Sequence, residues 1–169
     1  AWLLAFACTA PGWLIGTQTR REKGEFLHRS RDDGLQHKCV NLCNMNPDRR
    51  EGHFRSLSPH GFRRVVYDEW GDPENPQVVI CVHGVGRNAR DFDDLAAALA
   101  PTHRTLSVDM PGRGRSDWLA DPNDYVFPTY LTVLTALIAR SGAETVGWVG
   151  TSMGGLLGML FAAQPGTPV

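Results

Sequence analysis

Neither sign of charge is in excess over the 169 residues: 17 Lys and Arg stand against 18 Asp and Glu, a formal net charge of −1. That balance gives no support to binding of nucleic acid, an anionic membrane or an acidic surface. No uninterrupted apolar run approaches the roughly 20 residues of a membrane helix; the apolar stretch Ala1–Gly16 is short and broken at Pro11-Gly12. A secretory signal needs positive charge ahead of its apolar run, and here Arg20 and Arg21 come only after it. Four cysteines, Cys8, Cys39, Cys43 and Cys81, are scattered without a pairing pattern and demand no oxidising compartment. A cytoplasmic protein is expected, with a truncated secretory signal as the alternative. What is present, 42% hydrophobic residues in one moderate length, is enough for a real core and excludes a collagenous or wholly disordered chain.

The overall charge balance conceals two unlike segments. Residues 20–64 carry 11 basic against 6 acidic residues, and residues 65–169 carry 6 against 12. From Thr17 to Ser58 there is little hydrophobic period of 2 or 3.6, and Gly, Asn, Asp, Arg and His are spread among few large apolar residues. Such a segment buries little surface to offset its ordering entropy, so residues 1–60 are expected to be an irregular or disordered basic extension. His37, Cys39, Cys43 and His53 offer metal-ligand chemistry, but the spacing H-x-C-x3-C-x9-H lacks the close ligand pairs of a zinc site. No metal and no cofactor are expected.

Regularity begins near Gly61. Phe62–Trp70 reads as a strand region closed by a turn over Gly71–Pro76, and Gln77–Val82 is a nearly continuous apolar run rich in β-branched residues, which fits a strand buried on both faces. Asn88 can cap a helix whose Phe92, Leu95, Ala96 and Leu99 share one face. Thr105–Val108 is the next strand, and a second helix from Pro128 carries Leu131, Leu134, Leu137 and Ile138 before ending at Gly142. Thr145–Val149 is a third buried strand, and Met153–Ala163, apolar all round, is expected to be a buried helix. Alternating strands and helices predict an α/β domain over residues 61–169: a mostly parallel sheet with flanking helices.

Gly150-Thr151-Ser152-Met153-Gly154 is the sharpest chemical signal. A G-x-S-x-G between an apolar strand and a helix suits a nucleophile elbow, in which a strained turn exposes the serine and the glycines let neighbouring backbone approach. Together with His83-Gly84-Val85-Gly86 and Asp109-Met110-Pro111-Gly112-Arg113-Gly114-Arg115-Ser116 in the same order, these residues resemble the alpha/beta-hydrolase superfamily from about Gly61 to Val169, and within it the serine esterases and carbon–carbon bond hydrolases. The resemblance implies Ser152 as nucleophile and the backbone N–H groups of Val85 and Met153 as oxyanion-hole donors. It implies structural roles for His83 and Asp109, and leaves open whether Arg113 and Arg115 approach the site. Halide-releasing and epoxide-opening relatives need a carboxylate where Ser152 stands.

The family order places an Asp or Glu and then a His downstream of the serine, yet the 17 residues after Ser152 contain no Asp, Glu, His, Lys or Arg. The chain begins with Ala1 rather than Met. The expectation is therefore the N-terminal part of an incomplete alpha/beta-hydrolase fold, truncated after the nucleophile helix and inactive as given, from an enzyme acting on small carboxylic esters. The alternatives are a carbon–carbon hydrolase of a ketoacid or a non-catalytic binding remnant. A small-molecule ester or ketoacid is the expected partner, with no nucleic acid and no membrane; the oligomeric state is not set by the sequence. Ending at Val169 is expected to leave the strand Thr145–Val149 as an exposed apolar edge.

Overall fold

The computed structural model describes residues 4–9, 12–17 and 49–169. The five strands beyond residue 49 are β3 (Arg50–Ser58), β4 (Gly61–Trp70), β5 (Val78–Val82), β6 (Arg104–Asp109) and β7 (Val146–Thr151). β5 pairs parallel with both β6 and β7, whereas β4 runs antiparallel to β6 and β3 antiparallel to β4. The expected parallel sheet is thus the centre of a mixed one. β1 (Leu4–Thr9) and β2 (Gly12–Thr17) form an antiparallel hairpin whose β1 pairs with β7, giving the order β2-β1-β7-β5-β6-β4-β3.

All five residues of β5 are buried, as its unbroken apolar run requires of a central strand covered on both faces. Val78, Ile80 and Val82 face one layer, built by α2 (Phe127–Ser141) and α3 (Met153–Ala162), whose Val133, Leu134, Leu137 and Leu157 complete the main core. Val79 and Cys81 face the other, against Phe92 of the 3-10 turn Ala89–Phe92 and Leu99 of α1 (Asp93–Leu99). Asn88 does cap, though it caps the 3-10 turn: its side chain accepts from the Arg90 N–H. Gly142 closes α2 in the left-handed conformation.

Three expectations change. Regular structure starts before residue 61, because Arg50–Ser58 pairs with β4 along its whole length. Its inward positions are Arg50, Gly52, Phe54, Ser56 and Ser58, of which only Phe54 is large and apolar, so no period-2 hydrophobic signal marked it. The strand Thr145–Val149, observed as β7, is not an edge, since Ala5–Cys8 pairs with Trp148–Thr151; the apolar stretch split by Pro11-Gly12 supplies that hairpin. α3 is buried on one side only, and Leu156 and Met159 face solvent, because β5, β7 and α2 cover a single flank of the helix. Of the irregular extension expected over residues 1–60, the part 18–48, with His37, Cys39 and Cys43, lies outside the described residues.

An ionic cluster ties β4 and β6 to the loop that follows β6. Asp68 is fully buried and receives a bidentate pair from Arg115, Nη1 to Oδ1 at 3.0 Å and Nη2 to Oδ2 at 2.8 Å. The same guanidinium reaches buried Asp109 through Nε at 3.0 Å and Glu51 of β3 through Nη1 at 3.0 Å. Asp68 most strongly, and Asp109 with it, raise the Arg115 pKa well above its ordinary value, against the opposing effect of burial. Planar bidentate geometry makes this an arginine site. Removing one partner of such a buried set leaves charge uncompensated at a cost of about 3–5 kcal/mol. Arg115→Ala is accordingly expected to lower unfolding free energy by about that amount in urea titration, and Arg115→Lys to recover only part of it.

Candidate active site

Ser152 stands between the last residue of β7 and the first residue of α3, with φ 52° and ψ −112°. Among the described residues it alone combines a side chain beyond glycine with a positive φ. Such backbone costs about 1–3 kcal/mol and persists only where its surroundings impose it. Here the surroundings are two glycines. A Cβ on Gly154 would lie 1.9 Å from the Val82 carbonyl oxygen, and one on Gly150 would lie 2.3 Å from the Gly154 carbonyl carbon. The start of α3 therefore rests directly on the end of β5, the turn from β7 is compressed, and the Ser152 side chain is left exposed. Trp148 reinforces the turn from below, its Nε1–H donating to the Gly154 carbonyl at 3.0 Å.

The loop after β5 comes to the same place. A Cβ on Gly84 would sit 3.5 Å from the Ser152 Cβ, so the two loops are in van der Waals reach. Val85 follows on that loop and Met153 follows Ser152. Among the described residues, neither the Val85 N–H nor the Met153 N–H has a hydrogen-bond acceptor. The first N–H of a helix has no intrahelical acceptor, which accounts for Met153. The structure thus brings together the three positions singled out in the sequence: Ser152, Met153 and Val85.

His83 is fully buried beneath these loops. Its Nε2 accepts from the Met110 N–H at 3.1 Å, which leaves the proton on Nδ1, donated to the Gly84 carbonyl at 2.7 Å. Both nitrogens are engaged, so the ring is a neutral brace between the loops after β5 and β6. Asp109 is likewise committed: Oδ1 accepts from the Ala89 N–H at 2.7 Å, and Oδ2 from the N–H and Nε of Arg115 at 3.1 and 3.0 Å. Ser116 adds a stitch, its Oγ donating to the Asp109 carbonyl and accepting from the Val66 N–H at 2.8 Å. Cys81 is buried, and burial pushes its thiol up to about 12; such a thiol is unreactive at neutral pH.

Two groups that sequence reasoning left open or missed complete the surroundings. Arg113 donates Nε–H to the Val85 carbonyl at 3.0 Å and Nη1–H to the Pro111 carbonyl and the Tyr130 hydroxyl, both at 2.8 Å. Trp118, 75% exposed, stands on the same cleft of about 520 Å³. Nothing local in the sequence links Arg113 to Tyr130, which sits a loop and a helix turn away.

A strained, exposed serine at a strand-to-helix turn, beside two unpaired N–H groups, belongs to a class of hydrolytic α/β proteins. The chain belongs to the alpha/beta hydrolase fold family, whose model matches residues 77–169. It is 50% identical over 125 residues to the 3-hydroxybutyrate-oligomer hydrolase of Cupriavidus necator, covering 74% of this chain and 43% of that protein. A serine hydrolase-like protein of Danio rerio is 30% identical over 115 residues, 68% of this chain and 34% of its own length. Among solved structures, an alpha/beta hydrolase of Novosphingobium aromaticivorans is 40% identical with a TM-score of 0.61, over 73% of this chain and 42% of that one. The chain therefore spans between a third and a half of the length of these relatives. No helix among the described residues is long and apolar enough to cross a membrane.

Burial lowers the pKa of His83 below its ordinary 6.5, outweighing the hydrogen bond to Gly84 and the nearby Asp109, which raise it. Above pH 6.5 the ring is neutral in the folded and unfolded chains alike; below it, the unfolded chain takes up a proton that the folded site resists. Stability should hold above that value and fall as pH drops toward the lowered folded pKa. Urea midpoints from about pH 7.5 to about pH 5 check this: His83→Gln, which can keep both hydrogen bonds, should flatten the fall.

Proposed function

We propose that this chain is the N-terminal part of a cytoplasmic serine esterase that cleaves small carboxylic esters through an acyl-enzyme on Ser152. The observation that carries the reading is the enforced positive φ of an exposed serine. In this reading the Ser152 hydroxyl attacks the ester carbonyl, and the oxyanion receives the N–H groups of Val85 and Met153. Two preorganised donors suit that role, since loss of one typically slows acyl transfer by about 10²–10³-fold. The free Val85 and Met153 N–H groups support it, as does the helix N-terminus behind Met153. The proton on Ser152 Oγ passes to a histidine base that residues downstream of Val169 supply. Among the described histidines, His83 is spoken for on both nitrogens, His60 pairs with Asp124, His103 pairs with Thr102, and His53 stands on β3, at the far edge of the sheet from β7. Without that base, hydroxyl activation fails, and the 169 residues alone are inert. The activity named for the Cupriavidus relative, hydrolysis of 3-hydroxybutyrate oligomers, favours an oligoester of a small hydroxy acid over a carbon–carbon substrate.

A serine-directed fluorophosphonate tests the assignment. The adduct, mapped by mass spectrometry, is expected on Ser152 when the chain is continued by the C-terminal portion of the Cupriavidus relative, and absent from the 169-residue chain. A continued chain that folds, carries the downstream Asp and His and leaves Ser152 unlabelled would defeat the reading.

A further inference from the structure

The cleft beside Ser152 is lined by Val85, Arg87, Gly112, Arg113, Trp118 and Tyr125 with three other residues, none of them acidic. Ser152 stands across Gly84 from this lining: the Ser152 Cβ and the Arg87 Cγ lie 3.5 and 3.9 Å from the point where Gly84 would carry a Cβ. Arg87 is neutralised by Asp91, to which it donates Nε–H at 2.8 Å and Nη2–H at 2.6 Å. Arg115 is saturated by Asp68, Asp109 and Glu51, and Arg90 pairs with Asp93. Of the arginines on these loops, Arg113 alone has no carboxylate partner among the described residues.

Its guanidinium is nevertheless fixed. Nε and Nη1 donate to the Val85 carbonyl, the Pro111 carbonyl and the Tyr130 hydroxyl, and its central carbon lies 5.3 Å from the Tyr125 ring centre and 5.4 Å from that of Tyr130. Among the described residues Nη2 has no hydrogen-bond partner, and it is not sealed from solvent. The entropy of ordering this long side chain is thus already met by the fold, leaving a positive charge with free donors at the cleft. The exposed faces of Trp118, 75%, and Val85, 60%, give the same cleft an apolar wall.

We propose that this cleft is a carboxylate subsite, in which Arg113 Nη2 receives the free carboxylate end of an acyl substrate while Trp118 and Val85 flank its short alkyl units. The proposal rests on the esterase reading for the identity of the substrate, an oligoester of a hydroxy acid that ends in a carboxylic acid. Arg113 would select acids over their esters, and its hold on the Val85 carbonyl would couple that selection to the loop beside Ser152.

Binding without turnover separates this from the chemistry of Ser152. The 169-residue chain carrying Ser152→Ala would be titrated calorimetrically with the linear dimer of 3-hydroxybutyrate and with the methyl ester of that dimer. With a charge-assisted hydrogen bond available only to the acid, the acid should bind at least about tenfold more tightly than the ester. Adding Arg113→Gln should abolish that preference, so that acid and ester bind equally in the variant, and Arg113→Lys should keep part of it. Equal affinities for acid and ester, no binding of either, or an acid preference that survives Arg113→Gln would overturn the subsite. Fluorophosphonate labelling of Ser152 in the continued chain does not depend on any of these outcomes, so failure here and failure of the esterase reading are told apart.

Discussion

The contact between the start of α3 and the end of β5 governs the rest of this molecule. Gly154 lies so close to the Val82 carbonyl that no other side chain fits, and a helix seated that low leaves β7 no room for an ordinary turn. Ser152 takes up the difference as positive φ. The strain is local, about 1–3 kcal/mol, and the buried packing of Met153, Leu157 and Trp148 in the main core holds it in place. An exposed hydroxyl and an unpaired helix N–H are thereby produced by packing before any substrate arrives.

Around this contact, the polar residues that look most catalytic are the ones already used up by the scaffold. His83 bridges two loops as a neutral ring, and Asp109 accepts from Ala89 and Arg115. Their burial and complete hydrogen bonding make them braces that fix the loop after β5, which carries Val85, to the loop after β6. Arg113 differs because, among the described residues, its fixed charge is left without an acid, and it is there, and at neither of the two braces, that we propose a ligand's charge is received.

Much of this was legible in the sequence where a pattern is local. The nearly continuous apolar run Gln77–Val82 fitted a strand buried on both faces, the α2 spacing of Leu134, Leu137 and Ile138 matched one helix face, and G-x-S-x-G between strand and helix located the turn. β3 stayed hidden because its inward face is mostly Gly and Ser. The N-terminal hairpin stayed hidden because its apolar run fits several structures equally well. α3 looked buried all round because composition reports what a helix can bury, while neighbours decide what it does bury. The Arg115 cluster and the Arg113 stack depend on residues brought from other strands and helices, so single-sequence spacing carried no trace of them.

The packing account is tested most directly by Gly154→Ala, read by urea unfolding. In an unobstructed helix this change adds about 0.5–1 kcal/mol of stability. Here the new Cβ meets the Val82 carbonyl oxygen, and the account predicts the opposite sign, a loss of about 1–3 kcal/mol or more. A Gly154→Ala protein as stable as the parent chain, or more so, would contradict it.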